Sequence, residues 1–522
     1  VTPVELEVAR HALAGVAEQM GIALRRSAYS PNIKERIDCS AAIFAPDGQM
    51  AAQAEHIPVH LGSMPASVRA ALDAFGGALA PGQQVLLNDP YAGGTHLPDL
   101  TLVTAVGDDA GALLGYVANR AHHADVGGAA PGSMPAFATD IAAEGLRIPP
   151  VLVGDVAGLR EDVLGLVAAN SRTPRERRGD LRAQLAANHV GARRLRELAS
   201  DGGSQRLHHA MAEVCDYSER RVRAAVAAMP DGTWTFEDHL ELDHPATIRA
   251  AVTIDGDSIR IDFAGTSAQV PVNVNAVLAV TVSSCWFVFR MLTDPDAPPN
   301  AGAYRACTVT APPGTLVHAQ SPAPVAAGNV ETSQRIVDVL LGAFAQALPE
   351  RVPAASQGTM NNLLLGSAAD PAYSYYETIA GGEGGTPGRP GMSGVHTGMT
   401  NTRNTPAEAM ELAYPLRVWR AELRPASGGA GRNPGGDGVI REIEVLTPTT
   451  LTLQTERRAT GPWGLQGGHP GAPGRNILIR DGAEETLEAK GTWELRPGDR
   501  VRVETPGGGG WGAPSPLPAV AP

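Results

Sequence analysis

Two short units define the chemistry this chain can do. His96 and Asp99 stand three residues apart in NDPYAGGTHLPD (88–99), and His122 and Asp125 repeat that His-x-x-Asp spacing in ANRAHHADVGG (118–128). Each unit lies where an apolar run meets a glycine-containing loop. Imidazole nitrogens and carboxylate oxygens together suit a borderline divalent cation such as zinc or manganese. Strand ends and short loops let such groups converge while one coordination position stays open to substrate. The candidate ligands are His96 and Asp99 with a histidine of the pair His122 and His123. On a strand these two face opposite ways, and His123 shares a face with Asp125. The repeated spacing favours His122, and the residues alone leave the choice open.

Other acidic groups accompany these units. Asp38 lies early in the run 37–44, sharing a face with Ser40, Ala42 and Phe44 while Ile37, Cys39, Ala41 and Ile43 point the other way. A carboxylate on a strand with two apolar faces needs a partner. Arg36, Lys34 or a metal would each supply one. His60 follows in a Pro-containing loop where it can line the same cavity, and Glu144 lies in a loop before a strand.

The elements that must position these groups are legible in outline. Thr2, Pro3 and Glu5 mark a helix start, and Leu6, Ala9, Leu13, Val16, Met20 and Leu24 continue it at helical spacing. Asp47-Gly48 predicts a hairpin turn, and a helix is expected over 64–75. Residues 159–229 read as strongly helical, with arginine-rich polar faces. Strand patterns on either side of Asp255-Gly256-Asp257 predict another hairpin, and Gly328, Asn329, Glu331, Thr332 and Arg335 open a further helix whose N-terminus could hold an anion. The glycine-rich stretch 376–404 reads as a long loop that orders over a pocket, with His396, Asn401, Arg403 and Asn404 over it. The expectation is therefore an α+β, multidomain chain with mixed sheets. Its parts are a metal-site α/β region (1–158), a helical segment (159–233), a mixed α/β region (234–421) and a β-rich C-terminal region (422–522) with a frayed tail from 515.

Length and composition exclude several classes. A chain of 522 residues exceeds one ordinary core, and 43% hydrophobic with 19% charged residues is a globular composition. A net charge of −13 argues against nucleic-acid binding. No apolar run reaches bilayer length. The start lacks a basic region followed by an apolar one, and the four cysteines form no CxxC spacing, so the expectation is a cytoplasmic protein. Lys34 and Lys490 are the only lysines. Neither sits in GxxxxGK[ST], so the chain has no Walker-type ATP site.

Taken together, ERIDCSAAIF (35–44), HIPVHLGSMP (56–65), NDPYAGGTHLPD (88–99), ANRAHHADVGG (118–128), NVETSQRIVD (329–338), VHTGMTNTRNTP (395–406) and TPGGGGWG (505–512) make nearly the whole chain resemble the hydantoinase B/oxoprolinase family. These are second subunits of ATP-dependent hydantoinases and oxoprolinases, with relatives in acetone and acetophenone carboxylases. The resemblance implies a hetero-oligomer in which an ATPase (hydantoinase A-type) subunit phosphorylates the amide or carbonyl oxygen, so that ATP acts only through the partner. The B-type subunit then carries the metal site where the activated ring opens. By residue it puts metal ligands at His96 and Asp99 with a histidine of the HHAD unit, and Asp38 nearby. Asp38, Asp125 or Glu144 would act as base or orient an imidazole. The implied substrate is a small cyclic amide such as hydantoin, N-methylhydantoin, 5-oxoproline or a lactam; the alternative is a ketone carboxylase subunit.

Overall fold

Helix α1 (Pro3–Ser27) opens with the capping box its residue types require: Thr2 Oγ1 accepts from Glu5 N, and the Glu5 carboxylate accepts from Thr2 N. The structure is a computed structural model that describes residues 2–54, 56–200, 202–244, 246–369 and 372–514; the tail expected from 515 lies outside these. After α2 (Pro31–Lys34), strands β1 (Cys39–Phe44) and β2 (Met50–Ala54) meet at the Asp47-Gly48 hairpin. Helix α3 (His60–Ala74) begins four residues before the expected position and carries Pro65 inside. Strands β3 (Gln84–Leu87), β4 (Asp99–Gly107), β5 (Leu113–His122), β6 (Val151–Asp155) and β7 (Gly158–Leu159) complete an antiparallel sheet of order β2-β1-β5-β4-β3-β6-β7.

The predicted helical segment is present as α4 (Glu161–Ala169), α5 (Pro174–Ser200) and α6 (Gly203–Val226). Helices α1 and α5 cover one face of the sheet and α3 the other. With both faces covered, β4 is buried along its whole length and reads as a near-continuous apolar run. Helix α5 presents Gln184 and Asn188 to the sheet, four residues apart and hence on one face. Their amides donate to Leu100 O and Leu102 O, at 2.8 and 3.0 Å, so these buried polar groups are satisfied.

A second sheet follows, β8 (Gly232–Leu240), β9 (Ala246–Asp255), β10 (Ser258–Asp262) and β11 (Cys307–Thr310), in the order β11-β10-β9-β8. Helices α7 (Leu278–Leu292), α8 (Ala301–Tyr304) and α9 (Ser333–Ala347) accompany it. Ser283 on α7 accepts from the backbone N–H groups of Gly62 and Ser63 and so fastens this region to the start of α3. The C-terminal part has β12 (Asn362–Ser367), β13 (Tyr373–Glu377), α10 (Ala407–Ala413), β14 (Leu416–Arg424), β15 (Gly438–Val445), β16 (Thr449–Gln454), β17 (Arg475–Arg480), β18 (Ala483–Leu487), β19 (Lys490–Leu495) and β20 (Arg500–Glu504). Two sheets result, β13-β12-β16-β19 and β14-β15-β20-β17-β18. They share a core in which Leu363, Leu365, Leu451 and Leu453 meet Ile443, Val445, Val501 and Val503. This is the expected mixed α+β architecture with a β-rich C-terminal region. The four cysteines are free and buried, and no helix among the described residues is long and apolar enough to cross a membrane.

The glycine-rich stretch differs from an open loop. Tyr376 and Glu377 end β13, and the following glycines lie flat against two other glycine-rich segments. Gly385 N donates to Gly509 O, Gly436 N to Glu383 O and Gly429 N to Gly508 O, at 2.8 Å each. Backbones can approach this closely only without side chains between them. A Cβ on Gly508 would lie 2.0 Å from Glu383 O, whereas one on Gly388 would meet nothing within 4 Å. Gly508→Ala is therefore expected to cost about 1–3 kcal/mol in denaturant unfolding, and Gly388→Ala to leave stability unchanged or slightly raised.

Candidate metal centre

The loop that carries His96 is tied down before it reaches the strand. Asp89 caps the turn Pro90–Ala92 by accepting from Tyr91 N at 3.0 Å, and Gly93 takes a φ of 82° where a Cβ would strike the backbone of Ala66. Asn88 donates to Leu97 O and Leu146 O and accepts from Ile148 N, which clamps both flanks of the loop. Asp99 then begins β4 directly opposite His122, the last residue of β5. Directly opposed residues of an antiparallel pair share a face with their Cβ atoms about 4.5–5.5 Å apart. The ladder thus brings carboxylate and imidazole together.

On β5 the alternation separates the two neighbouring histidines. His122 turns to the α3 side with Arg120, whose guanidinium binds Thr101, Ser63 and Ser67. His123 turns the other way, and its Nε2 lies 3.0 Å from Gln184 Oε1 on α5. Burial, together with the Arg177 charge, pushes the His123 pKa down to about 4.

At the centre, His96 Nε2, His122 Nδ1 and Asp99 Oδ1 lie 3.2–3.3 Å from one another, and all three residues are buried. Ligands about 2.0–2.1 Å from a tetrahedral ion sit roughly 3.3 Å apart, so this triangle fits a divalent cation. The surroundings orient each donor. His96 Nδ1 faces Ala326 O at 3.2 Å, leaving the Nε2 lone pair for the cluster. Asp99 Oδ2 accepts from Thr95 Oγ1 and lies 3.6 Å from His60 Nε2, while Ser40 Oγ is 2.9 Å from His60 Nδ1. Burial opposes ionisation of Asp99, but His96, His122 and His60 outweigh it and hold its carboxyl well below the usual range. Burial lowers the pKa of His122, and Asp99 opposes that shift.

The candidate carboxylates occupy different places. Asp38 is buried beside the cluster, and its backbone carbonyl accepts from His122 N at 3.0 Å. Arg36, one of the candidate partners, is turned to Tyr376 O and Thr378 Oγ1 instead, and among the described residues no hydrogen bond is found for the Asp38 carboxylate. Between them Ile37 takes a φ of 58°, a costly conformation for a β-branched residue, held by fastened neighbours on both sides. Asp125 stands outside the cluster: its oxygens accept from Gly127 N, Gly132 N, Arg172 N and Arg172 Nη1. Glu144 is also off the cluster. Its Oε1 accepts from Val325 N and Ala326 N at 2.8 and 2.9 Å, and so steadies the carbonyl that faces His96. Residues 325–332 at this site carried no metal signal in sequence. The helix start there, which reads in sequence as an ordinary capped helix with an anion site as the alternative, is instead a buried π-helical turn, Gly328–Thr332, and Arg335 is paired with Glu456 and Asp238. Tyr376, whose ring stacks on His122, likewise carries no such signal in sequence.

Burial raises the Glu144 pKa from 4.5 to about 8, with the Ala326 and Val325 N–H groups opposing. A folded pKa above the unfolded one means that the fold holds the proton more tightly. The group's contribution to stability is full below the unfolded pKa and is lost as pH rises through the folded one. Glu144→Gln is expected to reduce the loss of melting temperature between about pH 5 and about pH 8.5 by several degrees relative to the unsubstituted chain.

Comparison with known proteins identifies the family. A family profile described as Hydantoinase B/oxoprolinase matches residues 2–514. An uncharacterized protein of Methanocaldococcus jannaschii is 42% identical over 98% of this chain and 91% of its own length. The 5-oxoprolinase 1 of Arabidopsis thaliana is 39% identical over 98% of this chain, which spans only 42% of that enzyme. Among solved structures, the ATP-dependent caprolactamase from Pseudomonas jessenii superposes with a TM-score of 0.90 at 29% identity, covering 98% of this chain and 91% of that one. Acetone carboxylase shares the fold, with a TM-score of 0.89 at 20% identity over 98% of this chain and 76% of that one. A profile that runs through both histidine units and on into the packed glycine segments leaves one assignment: the chain belongs to the hydantoinase B/oxoprolinase family.

Proposed function

We propose that this chain is the metal-bearing subunit of an ATP-dependent enzyme that opens a small cyclic amide (hydantoin, N-methylhydantoin, 5-oxoproline or a lactam) together with a hydantoinase A-type ATPase subunit. The observation that carries this reading is the buried convergence of His96, Asp99 and His122. Similarity to an ATP-dependent caprolactamase and to a 5-oxoprolinase supports the choice of substrate class. More than half of the oxoprolinase has no counterpart in this chain, which fits a complementary unit supplied here by a partner.

When bound, a zinc or manganese ion supplies Lewis acidity and makes water acidic enough to attack near neutral pH. In this reading His96 Nε2, His122 Nδ1 and Asp99 Oδ1 would hold the ion, and His123, on the other face, meets Gln184 of α5. Asp38 takes the proton from the attacking water, since it lies beside the cluster and among the described residues no hydrogen bond is found for its carboxylate. Glu144 holds the 325–326 backbone behind His96, and Asp125 holds the loop after β5. Amide nitrogen is a poor leaving group, so ring opening also needs the carbonyl oxygen activated by phosphoryl transfer. Among the described residues the glycine runs at 381–385 and 507–510 are packed on each other and so do not form a cradle for the donor.

Two measurements test the reading. The isolated chain is expected to give no calorimetric heat with ATP and no turnover, and mixing with the ATPase subunit to start ATP-dependent opening of a cyclic amide. Ring opening by the chain alone at the rate of the mixture would overturn the two-subunit reading, and stoichiometric bicarbonate consumption would make the complex a carboxylase. For the metal, His122→Ala is expected to weaken zinc or manganese binding by more than the roughly 100-fold that loss of an outer-shell partner can cost, while His123→Ala keeps the affinity within about tenfold. Equal losses in the two variants would sink the ligand assignment.

A further inference from the structure

His122 differs from His96 in what holds its ring. A ligating histidine ordinarily donates its second N–H to a carboxylate, carbonyl or water, which fixes the ring plane. His96 does so through Nδ1 and Ala326 O, but His122 Nε2 is buried without a hydrogen-bond partner. The ring of His122 instead lies against that of Tyr376, with centroids 4.7 Å apart and planes 23° from parallel. The orientation of one proposed ligand therefore rests on the orientation of a phenol ring from β13.

That phenol is fixed from two directions. The Arg36 guanidinium lies 4.7 Å from its centroid, itself anchored on Tyr376 O and Thr378 Oγ1. The Tyr376 hydroxyl donates to Asn362 Oδ1 at 2.8 Å. The Asn362 side chain cannot turn away, because its Nδ2 donates to both Gln454 O and Glu331 Oε1 at 2.7 Å. Glu331 is held in turn by Met360 N at 3.0 Å and sits in the buried π-helical turn Gly328–Thr332. Every residue of the chain Glu331–Asn362–Tyr376–His122 is at most 3% exposed, so no solvent substitutes for a lost bond.

We infer that Glu331 is a positioning residue for the metal centre: through Asn362 and Tyr376 it sets the plane in which His122 presents Nδ1 to Asp99 and His96. The assignment rests on the metal reading above. It needs only an acceptor oxygen at Glu331, because the side chain acts by receiving the N–H groups of Asn362 and Met360.

The test uses the full chain and cobalt(II), whose visible absorption reports ligand geometry. Glu331→Ala and Tyr376→Leu are expected to weaken cobalt binding about 10–100-fold, the range for lost outer-shell support, and to shift the visible band. Glu331→Gln keeps the acceptor and is expected to bind with the affinity and band of the unsubstituted chain. Tyr376→Phe keeps the ring but loses its hydroxyl anchor and should fall between; it carries the test if Glu331→Ala does not fold. Gly508→Ala, destabilised outside the chain of contacts Glu331–Asn362–Tyr376–His122, should leave the band unmoved. An unchanged band and affinity in Glu331→Ala, or in Tyr376→Phe if that variant stands alone, would overturn the inference, as would a Glu331→Gln variant as impaired as Glu331→Ala. A native chain that takes up no cobalt would overturn the metal reading and this assignment with it.

Discussion

The register of one antiparallel pair governs the candidate site. Asp99 opposes His122 at the end of the β4–β5 ladder, and that opposition is fixed by the hydrogen-bonded pairs running back through Leu100–Ala121 and Thr101–Arg120. Both faces of the sheet are buried, so a slip by one residue would carry His122 into the α5 interface and bring His123 forward, together with every core side chain of the strand. The cost of that exchange, spread over two long buried strands, is what makes the centre a rigid feature of the fold.

Burial imposes a second condition, that each polar group find a partner of suitable sign. Asp99 is held as the anion by three imidazoles. Asp125 is closed off by Arg172 and three backbone N–H groups, one of them its own. Arg120 is ringed by hydroxyls that bind α3 to the sheet. Among the described residues no ion pair is found for Glu144 or Glu331; burial raises both carboxyl pKa values, to about 8 and about 7, with the Lys490 charge opposing at Glu331. The two lie behind His96 and His122 respectively, each acting through backbone or amide groups and not through direct contact with an imidazole. Charge is kept at the cluster, and the supporting layer works through hydrogen-bond geometry.

The centre is also a junction. The N-terminal sheet contributes Asp99, His122 and Asp38, the segment before α9 contributes Ala326 and Glu331, and β13 contributes Tyr376. Pairing of β12 with β16 holds β13 in place, and the shared core with β15 and β20 holds that sheet. The C-terminal sandwich therefore reaches the candidate site through one tyrosine, although its own strands carry no candidate ligand.

Much of this was legible in the residues. The His-x-x-Asp units named His96 and Asp99 with one of His122 and His123, and also Asp125, which stands outside the cluster; period-two alternation stated that His122 and His123 must part; the capping box and the Asp47-Gly48 turn marked real elements. Such signals are local, and local spacing constrains them whatever the rest of the chain does. The choice between the two histidines was not local. It needed to be known which face of β5 meets α5, and that is set by Gln184 and Asn188 some sixty residues on. Likewise the glycines of 381–385 read as a mobile loop, because nothing nearby in sequence shows that 429–436 and 507–510 will lie against them. Glu144 and Asp125 look, like Asp38, to be acidic groups accompanying the histidine units, and only their hydrogen bonds tell them apart. Tyr376 carries no motif, and Glu331 stands in NVETSQRIVD only as a helix-opening residue. Residue type and spacing determined which donors exist, while tertiary packing decided which of them meet, because strand register and long-range burial are properties of the whole chain.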